Sequence, residues 1–158
     1  MIKYIPELTD IVLEEIPDKV TLAVEISNCR GSCEGCHSPF LKQDLGVELT
    51  PAAVDKLIAD NFGVNCFLLL GEGKDKEALL RIAEHLRTHH PGLERAVYSG
   101  RPAVEPEIYA AFDYVKVGPY VAGLGPLNEP TTNQRLYHPG EDISSRFWHK
   151  GVDPNRKR

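Results

Sequence analysis

Apolar and polar positions alternate along residues 20–26, where Val20, Leu22, Val24 and Ile26 take every second place between Thr21, Ala23 and Glu25. A period of two is that of a strand, and it stops at Ser27-Asn28. Thr50-Pro51 then pairs an N-cap threonine with a proline in the first helical position, and Ala53, Val54, Leu57 and Ile58 follow at helical intervals. The apolar run Cys66-Phe-Leu-Leu-Leu70 predicts the next strand and stops at Gly71-Glu72-Gly73. Ala78, Leu79, Ile82, Ala83 and Leu86 predict a second helix, running to about His90-Pro91. A third strand near Arg95 to Tyr98 breaks at Ser99-Gly100-Arg101-Pro102, a short helix spans roughly Pro106 to Phe112, and a fourth strand, Tyr114 to Val117, breaks at Gly118-Pro119.

Strands alternating with helices imply βαβ crossovers and a parallel sheet. The cysteine-bearing loop after residue 27, Gly71-Glu72-Gly73, Ser99-Gly100 and Gly118-Pro119 all follow strands, and the carboxyl ends of parallel strands are where α/β proteins put their sites. These loops are expected to converge on one face. Four or five strands cannot close an eight-stranded barrel, which takes about 250 residues. The predicted class is therefore α/β, with a barrel open on one side; the gap would admit a loop of another protein better than it would seal a small substrate from water.

The chain's 158 residues fit one domain. Its start, Met-Ile-Lys-Tyr-Ile-Pro, carries a charge and a proline where a signal peptide needs an apolar core. Nor does the sequence hold a run of about 18 apolar residues, the length that reads as a membrane span. A cytoplasmic protein without a membrane partner is expected. The net charge of -5 is unevenly placed: residues 144–158 carry +4 and the rest -9. An acidic body argues against general nucleic-acid binding. The division expected is one domain over 1–143 and a basic tail over 144–158, with Arg146, Lys150, Arg156, Lys157 and Arg158 around Trp148.

Cys29, Cys33 and Cys36 fall within eight residues, in the run Asn-Cys-Arg-Gly-Ser-Cys-Glu-Gly-Cys-His. A 4Fe-4S cluster ordinarily takes one thiolate per iron, so three cysteines leave one iron open to an exogenous ligand. In radical chemistry that ligand is S-adenosylmethionine. Structural zinc is the rival reading: it wants a fourth ligand, which His37 or Cys66 formally offers, although zinc ligands usually come as two separated pairs. Inert thiols are the third reading. Disulfides fit poorly in a chain without a secretory start. Cys66 lies in an apolar run and reads as a core cysteine. His85, His89 and His90 have no cysteine pattern beside them and read as a solvated helix face rather than a ligand set.

The segment from Val20 through the cysteines to Pro39 resembles the cluster loop of radical S-adenosylmethionine enzymes, specifically the activating proteins of anaerobic ribonucleoside-triphosphate reductase. Further blocks look like that family's in the same order: Tyr98-Ser99-Gly100, Asp113-Tyr-Val-Lys-Val-Gly-Pro-Tyr120 and Thr131-Thr-Asn-Gln-Arg135. The likeness runs from about residue 10 to residue 138, and Gly35 before the third cysteine is similar to the activase branch. Two departures stand out. Gly71-Glu72-Gly73 shuffles the family's Gly-Gly-Glu or Gly-Gly-Asp, and His37-Ser38 replaces the tyrosine and asparagine of many relatives.

The resemblance implies an open partial (β/α) barrel of the radical S-adenosylmethionine type, with Cys29, Cys33 and Cys36 holding a 4Fe-4S cluster. A low-potential donor such as a flavodoxin or ferredoxin would reduce it, and cleavage of S-adenosylmethionine would give a 5′-deoxyadenosyl radical. That radical would take hydrogen from a glycine of the large reductase subunit, the implied partner. Gly71, Glu72, Gly73 and Ser99 are the implied cofactor contacts, with Lys116 and Gly118 as further candidates. Each also has an ordinary reading: strand-end turns for Gly71 and Gly73, a cap or turn for Ser99, and a solvent-facing position for Lys116 between Val115 and Val117. A radical enzyme acting on a small molecule and a non-enzymatic zinc or iron-sulfur docking module remain as alternatives.

Overall fold

The computed structural model describes residues 2–12, 16, 19–27, 46–118, 134–138 and 141–144. In chain order the elements are β1 (Lys3–Tyr4), a 3-10 turn (Pro6–Leu8), β2 (Asp10–Val12), β3 (Thr21–Glu25), β4 (Val47–Glu48), α1 (Pro51–Asp60) and β5 (Cys66–Leu70). Then come α2 (Lys76–His89), β6 (Glu94–Tyr98), α3 (Pro106–Ala111), β7 (Tyr114–Val117), β8 (Arg135–His138) and β9 (Glu141–Asp142).

The centre of the fold is the parallel run β3-β5-β6-β7, within a seven-stranded sheet of order β2-β3-β5-β6-β7-β8-β9. The alternating and apolar runs read from the sequence are these four strands. The outer strands β2, β8 and β9 pair antiparallel and enlarge the sheet beyond the four or five strands expected. Among the described residues the sheet is open, with β2 at one edge and β9 at the other. A small antiparallel pair, β1-β4, lies beside it, joined by a bridge from Tyr4 to Ile26.

Within the parallel run the strand order never reverses, and crossovers of one hand then put successive helices on the same face. The packing agrees. Leu22, Val24, Ile26, Phe67, Leu69, Val97, Val115 and Val117 share one core with Val54 of α1, Leu79, Ile82 and Leu86 of α2, and Ile108 of α3. The opposite face buries Ala23, Cys66, Leu68, Ala96, Tyr98 and Tyr114 against Ile16, Leu136 and Ile143. Both faces of β5 are therefore covered, which is why its sequence is apolar without alternation.

Local signals set the helix starts. The Thr50 hydroxyl accepts from the Ala53 amide at 3.1 Å, and the Asp75 carboxylate caps α2 by accepting from Ala78 at 3.0 Å. At the other end of the chain, Ser144 is buried, and its hydroxyl accepts from the Leu136 amide at 2.8 Å. Among the described residues no helix is long and apolar enough to cross a membrane.

Candidate cofactor site at the carboxyl ends of the strands

The parallel register brings Glu25, Leu70, Tyr98 and Lys116 level, so the four strands finish together. The chain leaves β5 through Gly71, at φ +126°, and Gly73, at φ +67°. A left-handed backbone suits glycine. Space imposes the same choice at Gly71, where an added Cβ would meet the Ile26 carbonyl oxygen at 3.3 Å. Ile26 in turn donates its amide to the Leu70 carbonyl at 3.2 Å, so the strand that leads into the cysteine run finishes against the Gly71 turn.

Glu72, between those glycines, is buried at 5 % exposure. Arg101 grips its carboxylate from both sides, Nε donating to Oε2 at 3.1 Å and Nη2 donating to Oε1. The Ser99 hydroxyl donates to Glu72 Oε2 and accepts from the Arg101 amide at 3.1 Å. The guanidinium is completed by Glu105, which accepts from Nη1 at 3.0 Å and from Nη2 at 2.9 Å. Arg101 therefore sits between two carboxylates. Glu105 first and then Glu72 push its pKa up, and Arg101 holds the Glu105 carboxyl down at about 2.

Lys116 and Gly118 flank this network. The Ser99 amide donates to the Lys116 carbonyl at 2.8 Å, and the Gly118 amide donates to the Arg101 carbonyl at 2.7 Å. Gly118 adopts φ +105°, and its carbonyl accepts from the Gln134 amide side chain at 3.4 Å. Lys116 does not simply point to solvent. Its ammonium lies 4.7 Å from the Tyr98 ring centre, a cation–π contact on the sheet face turned away from the helices.

The structure thus joins Gly71, Glu72, Gly73, Ser99, Lys116 and Gly118 at one end of the sheet. It also adds Arg101 and Glu105, which the sequence reading left out. In the sequence Arg101 stands out only as part of the strand break after Ser99-Gly100, and its one further signal is the glutamate four places on. Cys29, Cys33, Cys36 and His37 lie outside the described residues, as do Pro119, the Thr131–Asn133 part of the late block, and Trp148 with the basic residues of the tail. Cys66 is fully buried on the sheet face away from the helices, and that burial pushes its thiol up to about 12. A protonated core thiol is a poor metal ligand. Of the three helix histidines, His89 is exposed, as a solvated face implies, whereas His85 and His90 are half-buried and both reach Asp55.

Two features of this end suit a polar, metal-bound cofactor. The Gly71 turn, at φ +126°, presents bare backbone, with Ile26 packed close where a side chain would point. Ser27, the last described residue before the cysteine run, buries a hydroxyl that has no hydrogen-bond partner among the described residues. A buried hydroxyl left unpaired is unfavourable, so a polar group brought to this corner would be stabilised there. Compared with known proteins, the chain matches no protein-family model, no curated protein and no solved structure.

Proposed function

We propose that this protein is a radical S-adenosylmethionine activating enzyme that generates a glycyl radical on an anaerobic ribonucleoside-triphosphate reductase. The observation that carries the reading is the meeting of β3, which runs into the three-cysteine loop, with the Gly71-Glu72-Gly73 turn at the level carboxyl ends of the parallel strands. An unreversed strand order with helices on one face supports an open partial (β/α) barrel for the fold. A cytoplasmic setting follows from the same chemistry, because an exposed iron-sulfur cluster needs reducing surroundings.

Cys29, Cys33 and Cys36 would hold a 4Fe-4S cluster, a donor set of three thiolates that leaves one iron free. A cluster held there and reduced by a flavodoxin or ferredoxin would supply the electron for reductive cleavage of S-adenosylmethionine, the source of the radical that would act on the partner's glycine. The chain's own part is positioning. The Gly71 to Gly73 backbone would face the cofactor's amino group, while Glu72, held by Ser99 and Arg101, stiffens that turn. Lys116 and Gly118 line the same end.

Anaerobic reconstitution with iron and sulfide tests this. The expected result is about four irons per chain, visible absorption that bleaches with dithionite, and conversion of S-adenosylmethionine to methionine and 5′-deoxyadenosine. With the reductase present, a glycyl-radical signal should appear in electron paramagnetic resonance. Zinc uptake in place of iron, with no reductive cleavage, would overturn the proposal.

A further inference from the structure

α2 runs back along the helix-covered face and delivers its carboxyl end into β6, so the histidines there lie at the opposite end of the sheet from Glu72 and Arg101. His85 and His90 are too far apart around an ideal helix to share a face. They meet because α2 ends at His89, and His90 has left helical geometry at φ −133° and ψ 58°. Its ring turns back toward α1. There Asp55 receives both histidines on one oxygen: Nε2 of His85 is 2.8 Å and Nε2 of His90 is 2.6 Å from Oδ1.

We propose that Asp55, His85 and His90 form a binding site for one divalent transition-metal ion, with zinc the best match. The three donor atoms lie within 4.8 Å of one another, and two imidazole nitrogens with one carboxylate oxygen are ligand types that zinc takes. Without an ion, each Nε2 carries its ring proton and donates to Oδ1; an ion takes the place of those two protons, each imidazole then keeping its proton on Nδ1 and turning an Nε2 lone pair to the metal. The His89 ring stacks on His85 with centres 4.3 Å apart and restrains it. Asp55 is 48 % exposed, which gives an ion a path in. Three protein donors leave a fourth tetrahedral position for water or an exogenous ligand. This site is independent of the cysteine loop and of the radical reading.

The test is titration of zinc, and of cobalt as a spectroscopic stand-in, into full-length protein carrying Cys29→Ser, Cys33→Ser and Cys36→Ser, so that no thiolate of that run competes and the result does not depend on a cluster. One equivalent should bind. Cobalt should show d–d bands without the thiolate charge-transfer absorption that cysteine ligation would bring. Asp55→Asn, His85→Gln and His90→Gln should each weaken binding by at least about tenfold, since losing even an outer partner of a ligand histidine costs about 10- to 100-fold. His138→Gln, a histidine on the distant strand β8, should leave affinity unchanged. Glutamine keeps a hydrogen-bond donor for Asp55, and circular dichroism before titration confirms that each variant is folded. Unchanged affinity in the three variants, a thiolate charge-transfer band, or no uptake would overturn the proposal.

Discussion

Arg101 Nε lies 3.1 Å from Glu72 Oε2 while Nη2 of the same guanidinium reaches Oε1, so the carboxylate in the middle of the Gly71 to Gly73 turn is held from both sides. The pair links the loop after β5 to the loop after β6. Ser99 donates to the same carboxylate, and Glu72 is 5 % exposed. A carboxylate so engaged acts first on the shape of the turn.

From this follows the outcome of two substitutions. Arg101→Met leaves Glu72 buried with its charge unmatched and should cost about 3 kcal/mol in urea unfolding, within the range for breaking a buried pair. Glu72→Gln keeps the backbone and part of the hydrogen bonding, and should cost about 1 kcal/mol. It should also retain iron content and most S-adenosylmethionine binding. A large loss of binding with iron unchanged would place the carboxylate itself on the cofactor.

The cysteines should separate cleanly. Cys29→Ala, Cys33→Ala and Cys36→Ala should each abolish reductive cleavage of S-adenosylmethionine, since two thiolates do not hold the cluster in a reactive geometry. Cys66→Ala should keep both cluster and cleavage. It should lower stability by about 1 kcal/mol, the scale of a small deletion in a packed core. Loss of iron from Cys66→Ala while the fold is retained would make Cys66 a ligand after all.

Acid should expose the Arg101 to Glu105 contact. Glu105 has a folded pKa of about 2 against an ordinary 4.5, so its contribution to stability is present in full above 4.5 and is lost as pH falls toward 2. Arg101 stays charged throughout. The stability difference between the native chain and Glu105→Gln should therefore be constant at neutral pH and shrink between pH 4.5 and 2. Urea midpoints measured across that window check it; a gap that persists at low pH would assign the effect to packing instead of charge.

Removal of the basic tail should spare the chemistry. Because Ser144 holds the Leu136 amide, the cut belongs after Ser144. Cleavage of S-adenosylmethionine without a partner should be unchanged, while glycyl-radical yield on the reductase falls at low salt, where Trp148 and the surrounding Lys and Arg would dock on an acidic surface. High salt should narrow the difference by screening the charges. Equal yields at low salt over a range of partner concentrations would remove the docking role.

The sequence by itself determined the elements whose signals are local. Alternation placed β3, the apolar run placed β5, and Thr50-Pro51 started α1, because a strand's period and a helix's cap are decided within a few residues of chain. The glycine turn after β5 was legible for the same reason. Helical spacing likewise placed α2, and α3 and the strands β6 and β7 were bounded by turn residues; tertiary structure alone decided the short edge strands and the long-range side-chain pairs. The two-residue strands β1, β4 and β9 exist through their partners' backbones and have no pattern of their own. Glu72 found Arg101 across 29 positions of sequence, and Asp55 found His85 and His90 across 30 and 35. Such pairs form only when crossovers bring separate loops or helices side by side, and no local propensity in either partner specifies that meeting.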